Sequence, residues 1–389
     1  MTGASPFVVF GDEWGIHPTS TQHLVHRLAT NHPLLYVNTI GMRPPQLSLY
    51  DIRRSWNKIR SWTVTRQPEQ VATSPIAVYS PFLLPFNRPS ALRNWNRRRL
   101  VAGLRSELGR LRFAEPVLFV SSPIGAEVAG EIGERLLVYY ITDNYPALPG
   151  VYRDYLEELE QTLLARADLV FVSSQALQRE KLGQKTWPQL LPHGVDFEHF
   201  HRSADPLGAI PEELVRFPRP LLGFFGLLAP WVDTGLLQET AKAFPDASLI
   251  LIGPAWSQST PPSEPANLHW LGPRSYAELP RLAAHFDVGL VPFRQDRLTA
   301  YVNPLKVLEY MALGLPIVST PLPDLDAFGD LILQASGPAQ FVTQIRRALE
   351  DRSVARRQAR FTRAALESWE ARAAVIDERV SALLGPRKA

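Results

Sequence analysis

The sequence predicts an α/β protein built from two doubly wound domains in series. Three observations carry that expectation. Apolar runs of the length of buried parallel strands alternate with longer segments of helical period. The alternation breaks near residue 190 and restarts at Leu221, after a proline-rich stretch ending at Pro220. And 389 residues suit two or three domains better than one core.

In the first half, strands are expected at FVVFG (Phe7–Gly11), LLYVNT (Leu34–Thr39), IAVYS (Ile76–Ser80), VLFVSS (Val117–Ser122), LLVYYIT (Leu136–Thr142) and LVFVSS (Leu169–Ser174). Helices fall between them at Thr21–Thr30, Ser90–Leu111 and Val151–Arg166. The second half offers strands at LLGFFG (Leu221–Gly226), SLILIG (Ser248–Gly253), LHWLG (Leu268–Gly272), DVGLVPF (Asp287–Phe293) and PIVST (Pro316–Thr320). Its helices are expected near Val232–Phe244, Tyr276–Phe286, Pro304–Leu313 and Ala339–Leu349. In the tail, Phe361, Ala365, Trp369, Ala373, Ile376, Val380 and Leu384 step by three or four and predict one long amphipathic helix. The expected organisation is a first domain over 1–192, a hinge over 193–220, a second domain over 221–354 and a bracing helix over 355–389.

Composition excludes several classes. Hydrophobic residues make up 45% and charged residues 20%, the balance of a folded soluble enzyme. With no cysteine, there is no disulfide framework, thiolate metal site or cysteine nucleophile. The most apolar run, Leu221–Val232, falls short of the roughly 20 residues that span a bilayer. The first residues lack a basic run before an apolar one, so a cytoplasmic protein is expected. Net charge is only +3, yet between Arg43 and Arg112 fourteen bases face Asp51, Glu69 and Glu107, a local excess of +11. Arg53, Arg54, Trp56, Lys58, Arg60 and Trp62 interleave bases with indoles there, as do Arg93, Trp95 and Arg97–Arg99. That mixture suits an anionic membrane surface, with a plain solvated face as the alternative, and gives little support to nucleic acid.

The strongest chemical signal runs from Pro292 to Pro321. A buried strand ends at Phe293, so the polar loop carrying Arg294 and Arg297 leaves the carboxyl edge of a parallel sheet, where open α/β folds bind ligands. Asn303 is placed to cap the next helix and Pro304 to occupy its first turn. Lys306 and Glu309 are three apart and share one face near that helix start. Free amides and a lysine suit a diphosphate, and a carboxylate one turn on suits a ribose diol. An ordinary surface ion pair is the structural alternative.

The segment resembles the donor-site signature of retaining GT-B glycosyltransferases of family four through Pro304, Lys306, Glu309, Tyr310, Met311, Ala312, Gly314, Pro316 and Val318. LPHGVDFEHF (Leu191–Phe200) is similar to that family's hinge, with His193 in its asparagine position, and ALESWEARA (Ala365–Ala373) to its closing helix. The resemblance covers about residues 169–385 and implies two Rossmann-like domains facing a central cleft. It also implies transfer of a sugar from a nucleotide diphosphate donor, UDP- or GDP-linked, to a sugar, glycan or lipid-linked hydroxyl, with retention and without a metal or other cofactor. Glu309 would hold ribose and Lys306 the diphosphate. Gly226, Leu227, Asn303, Pro304, Tyr301 and Arg297 would line the donor site, with Arg294 helping to neutralise the leaving group.

The chain also departs from the family. Tyr301 stands where the first glutamate of its E-x7-E motif is found, and no base follows the first strand of the second domain between Gly223 and Leu237. In the first domain the resemblance is one of architecture alone. There FGDEWGIHPTSTQHL puts Glu13 and His17 in the loop after the first strand, and YYITDNYPAL puts Asp143 at the same sheet edge. These three are the candidates for the acceptor and for acid–base work. Asp324-Leu-Asp326 spells D-x-D in a setting wrong for a metal pair. No phosphate-cradling G-x-x-x-x-G-K-[ST] or strand-following G-x-G-x-x-G is present. A nucleotide-sugar 2-epimerase and a non-catalytic partner subunit are the alternative functions.

Overall fold

The computed structural model describes residues 4–15, 18–39, 76–84, 90–204, 210–256 and 262–385. The chain divides into two compact units. The first takes Met1–Phe171, Lys181–Gln189 and Ile376–Ala389, and the second takes Val172–Glu180 and Leu190–Val375.

The first sheet contains β1 (Phe7–Gly11), β2 (Leu34–Asn38), β3 (Ile76–Tyr79), β4 (Val117–Val120), β5 (Leu136–Ile141), β6 (Leu169–Val172) and β7 (Gln189–Leu190), in the order β3-β2-β1-β4-β5-β6-β7. β1 pairs in parallel with both β2 and β4. Chain order therefore reverses between β1 and β4, which makes that gap the topological switch point where doubly wound sheets bind ligands. The central strands are buried on both faces, which is why their sequences are continuous apolar runs rather than alternating ones. Of the helix Ser90–Leu111, Leu100, Val101, Leu104 and Leu108 are buried, and the Asn96 amide clamps the Leu84 backbone at 2.8 and 2.9 Å.

The second sheet repeats the plan. It contains β8 (Leu221–Phe225), β9 (Ser248–Ile252), β10 (Leu268–Trp270), β11 (Val288–Val291), β12 (Ile317–Ser319) and β13 (Leu333–Gln334), in the order β10-β9-β8-β11-β12-β13. β8 pairs in parallel with β9 and β11, so the β8/β11 gap is its switch point. The helices Thr234–Ala243, Leu279–Ala283, Leu305–Ala312 and Pro338–Glu350 accompany it. Leu279–Ala283 is shorter than expected. Glu278 turns back to accept from the Ser275 amide and hydroxyl at 3.0 and 2.5 Å, forming a local turn where the first helical turn was expected.

The single closing helix expected from the apolar stripe is corrected to two, Val354–Leu366 and Trp369–Leu384. The break lies at Glu367–Ser368, where the chain leaves the helix to pair with the hinge. Val195 donates to the Glu367 carbonyl at 2.9 Å and accepts from the Trp369 amide at 3.1 Å. Gly194 makes this possible, since a Cβ there would lie 2.9 Å from the Trp369 nitrogen. The break also shifts the stripe, so that Ala364 is buried in place of the expected Ala365.

Candidate functional site

Three loops converge at the carboxyl end of the second sheet and are tied to one another by backbone hydrogen bonds. Leu228 donates to Pro254 at 2.9 Å, Trp256 to Leu228 at 2.9 Å, Asp233 to Pro292 at 2.7 Å and Arg294 to Trp231 at 2.8 Å. β8 runs into Gly226, whose φ of +132° is a backbone state that side chains disfavour. A Cβ on Gly226 would stand 2.2 Å from Cε of Lys306, so the glycine clears the space in which that lysine lies.

Lys306 belongs to the first turn of the helix Leu305–Ala312. Its Nζ is 5.6 Å from the centroid of Phe224 and 5.5 Å from that of Phe293, cation–π distances on both sides. Burial pulls the lysine's pKa down, while the charge of Glu309 works against that shift. Glu309, one turn on, is 6% exposed. Burial raises its pKa to about 7, with Lys306 opposing. The pair thus provides a partly desolvated cation and a carboxyl poised between its two states at neutral pH. Both groups are stronger partners for a ligand here than they would be on an open helix face.

Tyr310 fixes the helix that carries them. Its hydroxyl lies 3.2 Å from the Gly223 carbonyl and accepts from the Phe225 amide at 3.3 Å. Its ring fills the space beside Gly289, where a Cβ would come within 2.7 Å of it. The site helix is thereby held to β8 and β11, the two strands of the switch point.

The expected cap is corrected. Pro304 itself is the N-cap of Leu305–Ala312, and no side chain caps that helix. Asn303 is committed elsewhere: its Oδ1 accepts from the His193 amide at 3.2 Å and its Nδ2 donates to Asp324 at 3.2 Å. It bridges the hinge to the loop after β12. The hinge imidazole of His193 is held at a pKa of about 4 by burial and by Arg372. Asp324 also accepts from the Gln175 amide at 3.3 Å, whereas Asp326 accepts from Gln334 at 3.1 Å. The two acids of the D-x-D string therefore serve different structural partners.

Arg294, Arg297 and Tyr301 share the loop after β11. Asp296 accepts from the amides of Leu298 and Thr299 at 2.9 and 3.0 Å, and the Thr299 hydroxyl donates to the Arg294 carbonyl at 2.5 Å. This compact turn displays both arginines at the surface and leaves Tyr301 half-buried. Leu227, half-buried, follows Gly226 directly.

At the carboxyl end of the first sheet, Asp143 follows β5. Burial raises its pKa to about 6, against the pull of the Asn144 amide that its carboxylate accepts at 2.8 Å. Glu13 is half-buried in the loop after β1, and its carbonyl accepts from Gln22 at 3.0 Å. His17 lies outside the described residues. Two polar groups join this edge that no sequence pattern marks. Asp12 has a pKa raised by burial, and Ser122 is 3% exposed with its hydroxyl unpartnered.

Much of the basic segment, from residue 43 to 75, lies outside the described residues. On the helix Ser90–Leu111 several bases turn onto acids. Arg93 meets Glu127 at 2.6 Å and Glu158 at 2.9 Å, Arg97 pairs with Glu131, and Arg110 meets Glu107 at 2.7 Å. Trp95, Arg98 and Phe82 are exposed nearby. No helix among the described residues is long and apolar enough to cross a membrane.

Comparison with known proteins follows the same outline. Residues 234–378 match the family described as glycosyl transferase-like. A Bacillus subtilis (strain 168) protein named as the teichuronic acid biosynthesis glycosyltransferase TuaH is 25% identical over 229 residues, covering 49% of this chain and 57% of its own length. The chain thus spans little more than half of that relative. Among solved structures, Anabaena HepE in complex with UDP and glucose aligns at a TM-score of 0.67 and 15% identity, covering 97% of this chain and 99% of its own. Sucrose-phosphate synthase from Thermosynechococcus elongatus aligns at a TM-score of 0.70 and 15% identity, covering 98% and 99%. The fold is the two-domain Rossmann-like GT-B fold, and the resemblance to GT-B glycosyltransferases read from the donor-site motif is borne out.

Proposed function

We propose that this GT-B chain is a glycosyltransferase that moves a sugar from a nucleoside diphosphate donor to a hydroxyl acceptor. The observation that carries the reading is the Lys306–Glu309 pair at the β8/β11 switch point, with Gly226 clearing space for the lysine. Glu309 accepts from the ribose diol in its ionised form. Lys306 and the free amides at the start of Leu305–Ala312 take the diphosphate. Arg294 and Arg297, displayed at the same sheet edge, are positioned to add charge. HepE is solved with UDP, with UDP and glucose and with UDP-glucose, and one further neighbour from E. coli is bound with UDP-2-fluoro glucose, which makes UDP the first donor nucleotide to try and GDP the second.

In the reaction, the acceptor oxygen attacks the anomeric carbon as the bond from that carbon to the diphosphate breaks. The hydroxyl proton passes to the departing phosphate oxygen, and the nucleoside diphosphate leaves. Negative charge grows on the leaving group, so a fixed cation beside it lowers the barrier. With Lys306 in that place the reading needs no metal ion. Same-face attack, and so retention, rests on the donor-site motif. The acceptor falls to the first unit, where Asp143 is mostly ionised above pH 6 and can hold a hydroxyl. TuaH supports polysaccharide synthesis as the setting. Peripheral contact with anionic lipid through residues 43–112 is part of the same reading, with Trp95, Phe82 and Arg98 as its exposed groups. Sedimentation with anionic and neutral vesicles tests that part.

A thermal-shift panel of UDP, GDP, ADP and TDP tests the donor site, because a ligand that binds the native state raises its melting temperature. One nucleotide stabilising the wild type and not Glu309→Ala is the expected result. No shift from any of the four would contradict the reading.

A further inference from the structure

We infer that a proton fastens the end of the closing helix to the first unit: a doubly donating His32 imidazolium ties Asp377 to the backbone at Ser5, and rising pH undoes the tie by removing that proton. The inference goes beyond the glycosyltransferase reading and stands or falls without it.

The helix Trp369–Leu384 begins in the second unit, and from Ile376 on it belongs to the first. Ile376 and Val380 are buried there, with Asp377 half-buried beside them. His32 follows the helix Ser20–Leu28, in a turn where the Asn31 and His32 amides both donate to the Leu28 carbonyl at 3.0 Å. The next carbonyl, of Pro33, accepts from the Phe7 amide at 2.9 Å, and the Phe7 ring lies 4.8 Å from the imidazole. The His32 side chain is thus fixed in place and only 10% exposed.

Both of its ring nitrogens face acceptors. Nδ1 lies 3.0 Å from the Ser5 carbonyl oxygen and Nε2 lies 2.9 Å from Oδ1 of Asp377. A carbonyl and an ionised carboxylate only accept, and a neutral imidazole has one N–H to give. Its other nitrogen would turn a lone pair towards an oxygen. The imidazolium alone satisfies both contacts, so the geometry gives His32 its second proton. The other donors to Asp377 are poor substitutes. The Asn31 amide reaches Oδ2 at 3.4 Å and the Ser381 hydroxyl reaches Oδ1 at 3.5 Å, both long for hydrogen bonds.

Among the described residues, Asp377 is the formal charge that contacts His32. Glu378 and Arg379, next along the helix, are exposed. On the helix Ser20–Leu28, Arg27 lies 3.4 Å from Nδ1 of His23, and His26 stacks 5.0 Å from Trp14. Arg135 donates to the Leu384 carbonyl at 2.5 Å, at the far end of the closing helix. Histidine is the side chain that changes charge between about pH 5 and 8. The fastening is therefore present while His32 is charged and lost as pH rises, which leaves the helix end held by Ile376, Val380 and Arg135.

Nitrogen NMR and amide hydrogen exchange on the full chain test it. Both imidazole nitrogens of His32 should carry protons at pH 5.5, and one should have lost its proton by pH 8.5. The amides of Asp377–Leu384, corrected for the intrinsic pH dependence of exchange, should lose protection about tenfold between pH 6 and 8, the scale of a hydrogen bond to a charged group. Amides of β4 and β5 serve as the unchanged reference. In His32→Gln the same segment should be weakly protected at pH 6 and indifferent to pH. His23 and His26 remain in that variant, so a dependence that survives it would belong to them and overturn the inference. Asp377→Asn should flatten the profile as well, and serves should His32→Gln fail to fold. Protection independent of pH in the wild type, or a His32 whose protonation does not change from pH 5.5 to 8.5, would also overturn it.

Discussion

Gly226 and Lys306 occupy one space: a Cβ on the glycine would lie 2.2 Å from the lysine's Cε. Gly226→Ala therefore displaces the lysine and strains a backbone at φ +132°. We expect nucleoside diphosphate binding about tenfold weaker, the scale of one charged hydrogen bond. Titration calorimetry with circular dichroism as the folding control checks it.

Glu309 makes stability depend on pH in an unusual direction. Its pKa is raised in the folded state, to about 7, so the folded chain keeps a proton that the unfolded chain releases near pH 4.5. Its contribution is therefore full below pH 4.5 and lost as pH rises through 7. Glu309→Gln removes the dependence. Relative to wild type, the variant should gain on the order of 2 kcal/mol between pH 5 and 8 in urea unfolding.

Nucleotide binding should show the opposite slope. A ribose diol donates best to an ionised carboxylate, so affinity is expected to rise through pH 7 in the wild type and to stay flat in Glu309→Gln. Calorimetric titrations at pH 6, 7 and 8 would show it.

His193 titrates the other way. Its folded pKa of about 4 is depressed, so the unfolded chain binds a proton first as pH falls through 6.5. The stability it contributes is present above pH 6.5 and lost as pH falls through 4. His193→Asn should flatten the acid limb by up to about 3 kcal/mol. The two groups partly cancel in the wild type between pH 4.5 and 6.5, so single variants are needed to reveal either.

Tyr310→Phe leaves the buried Phe225 amide, at the end of β8, without the hydroxyl it donates to. A loss of about 1–3 kcal/mol in chemical denaturation is expected, with nucleotide affinity weakened as the site helix loosens.

The fold was legible because its central strands are buried on both faces and therefore read as unbroken apolar runs. The donor helix was legible because Lys306, Glu309 and Tyr310 lie within two turns and follow one motif. What escaped depends on contacts between distant segments. Asn303 looks like a cap by position, yet its amide bridges His193 and Asp324, residues far away in sequence. Ser368 sits in an uninterrupted stripe, yet Val195 draws the backbone there out of the helix.

The central claim is that Lys306 reads the diphosphate, and one comparison tests it most directly. Dissociation constants would be measured for UDP against UMP, and for GDP against GMP, in the wild type and in Lys306→Met. The wild type should prefer the diphosphate of its nucleotide by about tenfold or more, and the substitution should abolish that preference while monophosphate binding persists. An undiminished preference in Lys306→Met would contradict the account.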